Sequence, residues 1–170
     1  MKKTLALATS IALLAGLWTI LVLKVGTIGP IPLILWPTFI GWAAFFYLGA
    51  DLKGLRNGLI QLSTGAILSG LLIFLYATLK LTDPNFIYLG IFVFIIAWPI
   101  TALSGVNKLW AAVPAGFCGA GAWFGVSAAL ATASPMTVTL AALIPLVCGE
   151  ILAFLSLWIV TKMMPEKKAA

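Results

Sequence analysis

Six long apolar segments, separated by short polar breaks, account for most of the chain. They cover approximately residues 4–23, 32–50, 58–79, 86–105, 109–132 and 138–162. As α-helices that rise 1.5 Å per residue, segments of this length cross about 30 Å of hydrocarbon. Only 8% of the residues are charged, whereas a water-soluble domain carries about 25%. We therefore predict a single all-α domain over residues 1–170, a polytopic membrane protein with six transmembrane helices.

The positions of the basic residues predict an orientation in the membrane. If the N-terminus is cytoplasmic, eight of the ten basic residues lie inside, and only Lys24 and Lys80 lie outside. This is the positive-inside bias of inner-membrane proteins. We expect a multi-pass membrane protein, with both termini cytoplasmic and the lipid bilayer around it. No basic run exceeds two residues, so nucleic-acid binding is not expected.

The chain lacks the residue types on which most catalytic and metal sites depend. It contains no histidine, and Cys118 and Cys148 lie in apolar segments without a CxxC spacing. The usual general base is therefore missing, and the glycine-rich stretches lack the Lys-Ser/Thr pair of a phosphate-binding loop. We expect no enzymatic activity, no metal and no cofactor.

Short stretches of the first half recur in the second half. Three matches have offsets of 78, 79 and 80: FIGWAAFF from Phe39 with FCGAGAWF from Phe117, LSGLL around Gly70 with VCGEI around Gly149, and Trp18 with Trp98. Each half would contain three helices, an odd number, so the second half would enter the membrane from the opposite side. This predicts an inverted repeat, the architecture of many transporters, with Gly41 equivalent to Gly119 and Gly70 to Gly149. Chance similarity between apolar, glycine-rich segments is the alternative.

Three of these stretches also resemble a known family. FIGWAAFFYLGADLKGL, the LSG of the third segment and VPAGFCGAGAWFG of the fifth are similar to the YcdZ-like family of small bacterial inner-membrane proteins. That family is catalogued as a domain of unknown function, and the similarity extends from the first segment to the sixth. The resemblance implies a six-helix inner-membrane protein and supplies neither an activity nor site residues.

The third segment carries a polar stripe. Gln61, Thr64, Gly65 and Ser69 are spaced i, i+3, i+4 and i+8, which places them on one face of a helix. In lipid that face turns toward other helices or water. It either lines a solute path or makes interhelical hydrogen bonds, which are worth about 1 kcal/mol each in model systems.

The fifth segment is rich in small residues. Gly121 and Gly125 form a GxxxG pair, and Gly116 and Gly119 extend the smooth surface. Small residues let helix backbones approach closely. We expect this surface to pack within the bundle or between protomers of a homo-oligomer, with the wall of a narrow pore as the alternative.

Two prolines lie inside predicted helices. Pro99 and Pro145 each remove one backbone hydrogen bond, which frees the carbonyl groups of Ile95 and Ala141. Broken helices at mid-depth mark binding sites in transporters. Proline kinks also occur in membrane helices without a ligand, so both interpretations stay open.

A single acid, Glu150, lies in the middle of the sixth segment. A charge at this depth costs about 3 kcal/mol on insertion scales, and a low dielectric favours the neutral carboxylic acid. We expect its carboxyl group to face the polar stripe of the third helix, toward Gln61, Thr64 or Ser69. It either donates a structural hydrogen bond there or binds a proton or cation that is coupled to transport.

The sequence favours transport of a small molecule. We expect a channel or carrier for a small neutral or weakly cationic solute, because a strongly anionic substrate would require cations at mid-depth and the chain has none there. Two alternatives remain open: a non-transporting structural or accessory membrane subunit, and a proton-coupled exporter of hydrophobic cations that uses Glu150.

Overall fold

The computed structural model describes residues 2–80 and 82–164, and this part of the chain folds into six α-helices. They are α1 (Lys2–Val25), α2 (Trp36–Tyr47), α3 (Leu52–Leu79), α4 (Ile87–Ala102), α5 (Val113–Ala129) and α6 (Pro135–Met163). A short antiparallel hairpin connects α1 to α2, with strands β1 (Thr27–Ile28) and β2 (Ile31–Pro32). Two 3₁₀ turns, Leu103–Gly105 and Lys108–Trp110, connect α4 to α5. The prediction of an all-α chain is confirmed.

Four segments are long and apolar enough to cross a membrane: α1, α3, α6, and α4 together with its following 3₁₀ turn. The other two helices are shorter than predicted. Helix α2 has 12 residues and α5 has 17, which correspond to about 18 Å and 26 Å of the roughly 30 Å hydrocarbon core. The expected spans at 32–50 and 109–132 therefore contain helices that do not reach the full thickness.

Both short helices begin late because a non-helical connector precedes each of them. Gly26 and Gly29 adopt positive φ angles of 69° and 58°, which glycine tolerates without a Cβ clash. In the second connector, the side chain of Asn107 accepts a hydrogen bond from the backbone N–H of Leu109. A proline then stands in the first turn of α2 and of α5, where its missing N–H costs nothing.

Neither interior proline interrupts its helix. Helix α4 continues past Pro99, and α6 runs past Pro145 without a break. The helix breaks expected at these two positions are therefore not present. Neighbouring helices and local adjustments compensate for a missing bond at proline in such bundles. The irregular backbone lies in the two connectors instead.

Helices α3 and α6 form a central antiparallel pair. Glu150 of α6 lies against Gly58 near the start of α3, and Thr139 near the start of α6 lies against Gly70 further along α3. Helix α2 packs chiefly on α6, and α5 packs chiefly on α3. Helix α1 covers α6 and α4 covers α3, so each short helix and each outer helix has one long partner.

The short helices contact the long helices backbone to backbone at glycines. A Cβ atom on Gly41 of α2 would collide with the carbonyl oxygen of Leu146, and one on Gly119 of α5 would collide with that of Leu62. Glycines of the long helices make the reciprocal contacts. Gly149 lies on the carbonyl group of Thr38, and Gly65 lies on that of Gly116. Such contacts maximise van der Waals packing where lipid removes the hydrophobic drive between helices.

Buried positions recur between the two halves with two different offsets. A shift of 78 positions places five of the six buried residues of α5 on buried residues of α2. A shift of 84 places nine of the ten buried residues of α6 on buried residues of α3, whereas the expected shift of 79 places only three. The burial pattern therefore relates Gly149 to Gly65 and does not support the predicted equivalence of Gly149 and Gly70.

The structure does not support the expected match between Trp18 and Trp98 either, because the two residues have different surroundings. Trp18 donates its indole N–H to the Thr38 hydroxyl at 2.9 Å, while Trp98 is 64% exposed. At the offset of 78, Gly116 corresponds to Thr38. The residue that lies against Gly116 is Ile100 and not Trp98.

Outward surfaces of the helices are apolar. Leu23 is 73% exposed, Phe94 68% and Trp98 64%, and they lie on α1 and α4, the two outer helices. A bundle with such a surface and four helices of spanning length indicates an integral membrane protein.

A substitution at one of the contact glycines tests this packing. We expect Gly149→Ala to destabilise the protein by about 1–3 kcal/mol, because the new methyl group would overlap the α2 backbone. The matched control is Gly121→Ala on α5, where no atom lies near the added methyl group. The midpoint of SDS-induced unfolding in detergent measures both, and equal midpoints for the two variants would contradict the backbone contact.

Candidate functional site

A buried polar centre lies between α3, α6 and the connector before α5. We define it by Asn57, Gln61 and Glu150, which are 8%, 0% and 0% exposed. Each has a side-chain oxygen without a hydrogen-bond partner among the described residues: Asn57 Oδ1, Gln61 Oε1 and both oxygens of Glu150. Most buried polar atoms in proteins are paired, and each unpaired one costs about 1–3 kcal/mol. Six buried side-chain atoms of the described chain are unpaired, and four of them belong to these three residues, so the polar centre requires an explanation.

The two amides hold the connector that precedes α5. Asn57 donates to the carbonyl oxygen of Lys108 at 3.3 Å, and Gln61 donates to that of Trp110. They lie four positions apart, on one face of α3. A Cβ atom on Gly116 would lie 3.1 Å from Gln61 Oε1, so this glycine leaves the amide oxygen space beside α5.

The predicted polar stripe divides between different surroundings. Thr64 is half-buried, and its hydroxyl donates to the carbonyl oxygen of Ile60 within α3 at 2.7 Å. Gly65 is a packing position against α5. Ser69 is 1% exposed and its hydroxyl has no partner within the described chain. Gln61 and Ser69 therefore remain candidate site residues, while Thr64 is satisfied locally.

The carboxyl group of Glu150 faces α3, against Gly58. A Cβ atom at Gly58 would occupy the same space as the carboxyl oxygen. Gly58 precedes Gln61 by three positions, about one helical turn. No hydrogen bond from Glu150 to Gln61, Thr64 or Ser69 is present in the described structure, so the expected partners are wrong although the helix is the expected one.

The other acids of the described chain act at helix ends. Asp51 caps α3 by accepting the N–H of Gly54 at 2.6 Å. Asp83 accepts hydrogen bonds from the Tyr76 hydroxyl and from the backbone N–H groups of Tyr88 and Leu89. Desolvation raises the pKa of Asp83, but these hydrogen bonds outweigh it and hold the pKa below its usual value. Both carboxylates are stabilised where they lie, and neither pairs with Glu150.

A surface recess of about 310 Å³ leads to the polar centre. Its lining comprises Leu48, Asp51, Lys53, Gly54, Asn57, Lys108, Ala111 and Ala112. Charged side chains surround the opening, and the amide of Asn57 lies at the buried side. We call this end of the bundle, where α3 begins and α6 ends, the Asp51 end.

The glycines of α5 separate into packing and surface positions. Gly116 and Gly119 are buried against neighbouring helices, and Gly125 lies against the Trp36 ring. Gly121 is exposed, with no atom near the place where its Cβ would lie. The predicted Gly121–Gly125 pair is therefore not one packing face within the protomer.

Asn57 is not predicted as a site residue, because the third predicted segment begins at 58 and Asn57 falls in the polar break before it. Gly58 is the first residue of that segment, and no local pattern indicates its contact with Glu150. The helix begins at Leu52, capped by Asp51. Asp is a preferred N-cap residue, and that signal would have extended the helix. Asn57 would then have been recognised four positions before Gln61, on the same face.

Two hydroxyl deletions distinguish unpaired from paired buried groups. We expect Ser69→Ala to leave stability unchanged or to raise it, because the deleted hydroxyl has no partner. Thr139→Val should cost about 1–3 kcal/mol, because Thr139 accepts the indole N–H of Trp123 at 2.8 Å. SDS-unfolding midpoints measure both variants, and a large loss for Ser69→Ala would show that its hydroxyl is bonded.

Comparison with known proteins identifies a family. No curated protein and no solved structure matches the chain. A family model described as "Protein of unknown function (DUF1097)" matches residues 8–161, from the first half of α1 to the last turn of α6. The description of this family does not include the YcdZ-like name, so membership of a YcdZ-like family remains a prediction. The match covers both connectors and the whole polar centre, and the chain belongs to the DUF1097 family.

Proposed function

We propose that this protein is a bacterial inner-membrane carrier for a small, neutral or weakly cationic solute that donates hydrogen bonds. The observation that carries the proposal is the set of unpaired, buried side-chain oxygens on Asn57, Gln61 and Glu150. Polar groups held unpaired inside an apolar bundle reduce stability. A bound solute with N–H or O–H groups would satisfy them.

The chemistry of the polar centre selects the solute class. Amide oxygens accept hydrogen bonds, so they favour donors such as amides, polyols, amines or ammonium-type cations. A strongly anionic solute would meet acceptors here, and the buried residues of the described chain include no lysine or arginine. Both considerations support the solute class expected from the sequence.

Burial favours a carrier over an open channel. The recess at the Asp51 end reaches Asn57, but Gln61 and Glu150 are fully buried. Solute would reach the polar centre only after helices move apart. Movement of one half against the other around a fixed central site is how alternating access works in repeat-built transporters.

We also propose that the two halves form an inverted repeat. The reciprocal glycine contacts support equivalence of Gly41 with Gly119 and of Gly65 with Gly149. The pseudo-two-fold axis would then pass between Leu62 and Leu146, in the membrane plane. Gln61 would lie within about 2 Å of that plane and Glu150 about 6 Å from it, at 1.5 Å per residue.

In this arrangement all six helices cross the middle of the membrane, α2 and α5 as short helices. Their connectors would enter the bilayer depth, where irregular backbone requires protein partners. The bonds from Asn57 and Gln61 to the carbonyl groups of Lys108 and Trp110 supply such partners. The basic residues favour cytoplasmic termini, which would place the recess at the cytoplasmic face.

Flux through proteoliposomes tests the proposal. We expect uptake of small amides, polyols or alkylammonium ions above that of empty liposomes, and no uptake of small anions. Gln61→Leu should reduce the flux about tenfold, which corresponds to one lost hydrogen bond of about 1.4 kcal/mol. The control Thr64→Val removes a hydroxyl that is already bonded within α3, so its flux should stay near the parent value.

A folded, correctly inserted protein that moves none of these solutes would contradict the proposal. It would favour the second candidate, a non-transporting structural or accessory subunit. The observation behind that candidate is Gly121, which faces outward on α5 beside the exposed side chains of Phe117 and Phe124. A small residue between two aromatic side chains is suited to close approach of another helix.

The helix-packing role of Gly121 has its own test. If this surface joins protomers, Gly121→Leu should lower the oligomer mass in detergent, because a bulky side chain prevents close approach. Gly90→Leu on α4 is the matched control, since it too has open space around it. Light scattering of the purified proteins measures the mass, and unchanged mass in Gly121→Leu would exclude α5 as the interface.

A further inference from the structure

The contact between Glu150 and Gly58 joins the two central helices on the Asp51 side of Leu62 and Leu146. We infer that Glu150 is a proton-binding residue that keeps this contact closed while protonated and opens it on losing the proton. Its role in transport rests on the proposed function, whereas its protonation does not. The inference deepens the carrier proposal by naming the group that controls access from the Asp51 end.

The surroundings of Glu150 do not support a charge. Both carboxyl oxygens are buried and have no hydrogen-bond partner in the described chain. An ionised carboxylate without partners in a low-dielectric interior is far more costly than the neutral acid. The closed contact therefore contains the carboxylic acid, with its proton on one of the two oxygens.

Within residues 2–80 and 82–164, no charged side chain is paired with the carboxyl group of Glu150. Charged and titratable side chains on α6 and on the helices packed against it lie at exposed or half-buried positions within the described residues. They are Lys2, Lys3 and Lys24 on α1, Tyr47 on α2, Asp51 at the N-cap of α3, Lys53, Arg56 and Tyr76 on α3, Cys118 on α5, and Cys148 and Lys162 on α6 itself.

Geometry favours a proton over a metal cation. The carboxyl group lies against the α-carbon of Gly58, and Gly41 brings the α2 backbone close to the backbone N–H of Glu150. A hard cation would need about six oxygen ligands, and no group of three acids, cysteines or histidines suited to a metal occurs in the described chain. A proton needs only the carboxyl group.

Loss of the proton would have a defined structural consequence. The proton passes to water, and the remaining carboxylate needs donors that the closed contact does not provide. A recess open to the surface lies beside Asn57, the residue that precedes Gly58. Separation of α3 from α6 at Gly58 would hydrate the carboxylate and extend the recess toward Gln61.

Infrared spectroscopy tests the protonation directly. At neutral pH the parent protein should show the C=O stretching band of a protonated carboxylic acid, which Glu150→Gln lacks. The band should disappear on titration to high pH. Identical spectra for parent and Glu150→Gln at neutral pH would overturn the inference.

Cysteine accessibility tests the opening. In a background with Cys118→Ala and Cys148→Ala, Gln61→Cys should become more reactive toward a water-soluble maleimide as pH rises. Every thiol gains reactivity with pH as its thiolate fraction increases. The labelling rate of each cysteine variant is therefore divided by the rate of the same variant that also carries Glu150→Gln. We expect this ratio to rise for Gln61→Cys and to stay constant for Ser69→Cys, which lies beyond Leu62. A constant ratio for both would overturn the inference.

A double-mutant cycle covers the case in which the cysteine variant does not fold. Gly58→Ala should lower the unfolding midpoint of the parent, because the methyl group displaces the carboxyl group. It should have little effect on Glu150→Ala, and equal effects in both backgrounds would overturn the contact. If flux is absent but the infrared band is present, the carrier proposal fails while the proton-binding role of Glu150 stands.

Discussion

Direct backbone contact at glycines is the constraint on which the rest of this structure depends. Gly41 and Gly119 place the short helices on the backbones of α6 and α3, and Gly149 and Gly65 complete the same contacts from the other side. In lipid, packing replaces the hydrophobic effect as the force between helices. Any side chain at these positions would separate the helices and expose the polar centre that they enclose.

The polar residues Asn57 and Gln61 of α3 each have two roles. The N–H groups of Asn57 and Gln61 hold the connector before α5, while their oxygens stay unpaired inside the protein. The first role stabilises irregular backbone at a depth where water cannot do so. The second costs stability and is therefore the stronger indication of function. Glu150 shows only the costly role, since neither of its oxygens is paired.

Hydrophobic segment length was enough to predict an all-α chain. The match of FIGWAAFF with FCGAGAWF predicts the equivalence of Gly41 and Gly119, which remains part of the proposed repeat. The late starts of α2 and α5 were not predicted, because the residues directly before each helix, 33–35 and 109–112, are all apolar. One glycine match, LSGLL with VCGEI, predicts Gly70 as the counterpart of Gly149, and no sequence similarity indicates Gly65. Side-chain partners such as Trp110 for Gln61 depend on tertiary contacts that no local pattern encodes.

Each short helix packs chiefly on a long helix of the other half, and this has a consequence for folding. Helix α2 packs chiefly on α6, and α5 packs chiefly on α3, so neither half contains the main partner of its own short helix. During synthesis the glycine face of α2 would stay uncovered until α6, the last helix, has been made. Contacts between segments so distant in sequence fold slowly, and the two halves form one cooperative unit. A chain that stopped before α6 would leave α2 without its main packing surface, and α2 is too short to span the bilayer alone.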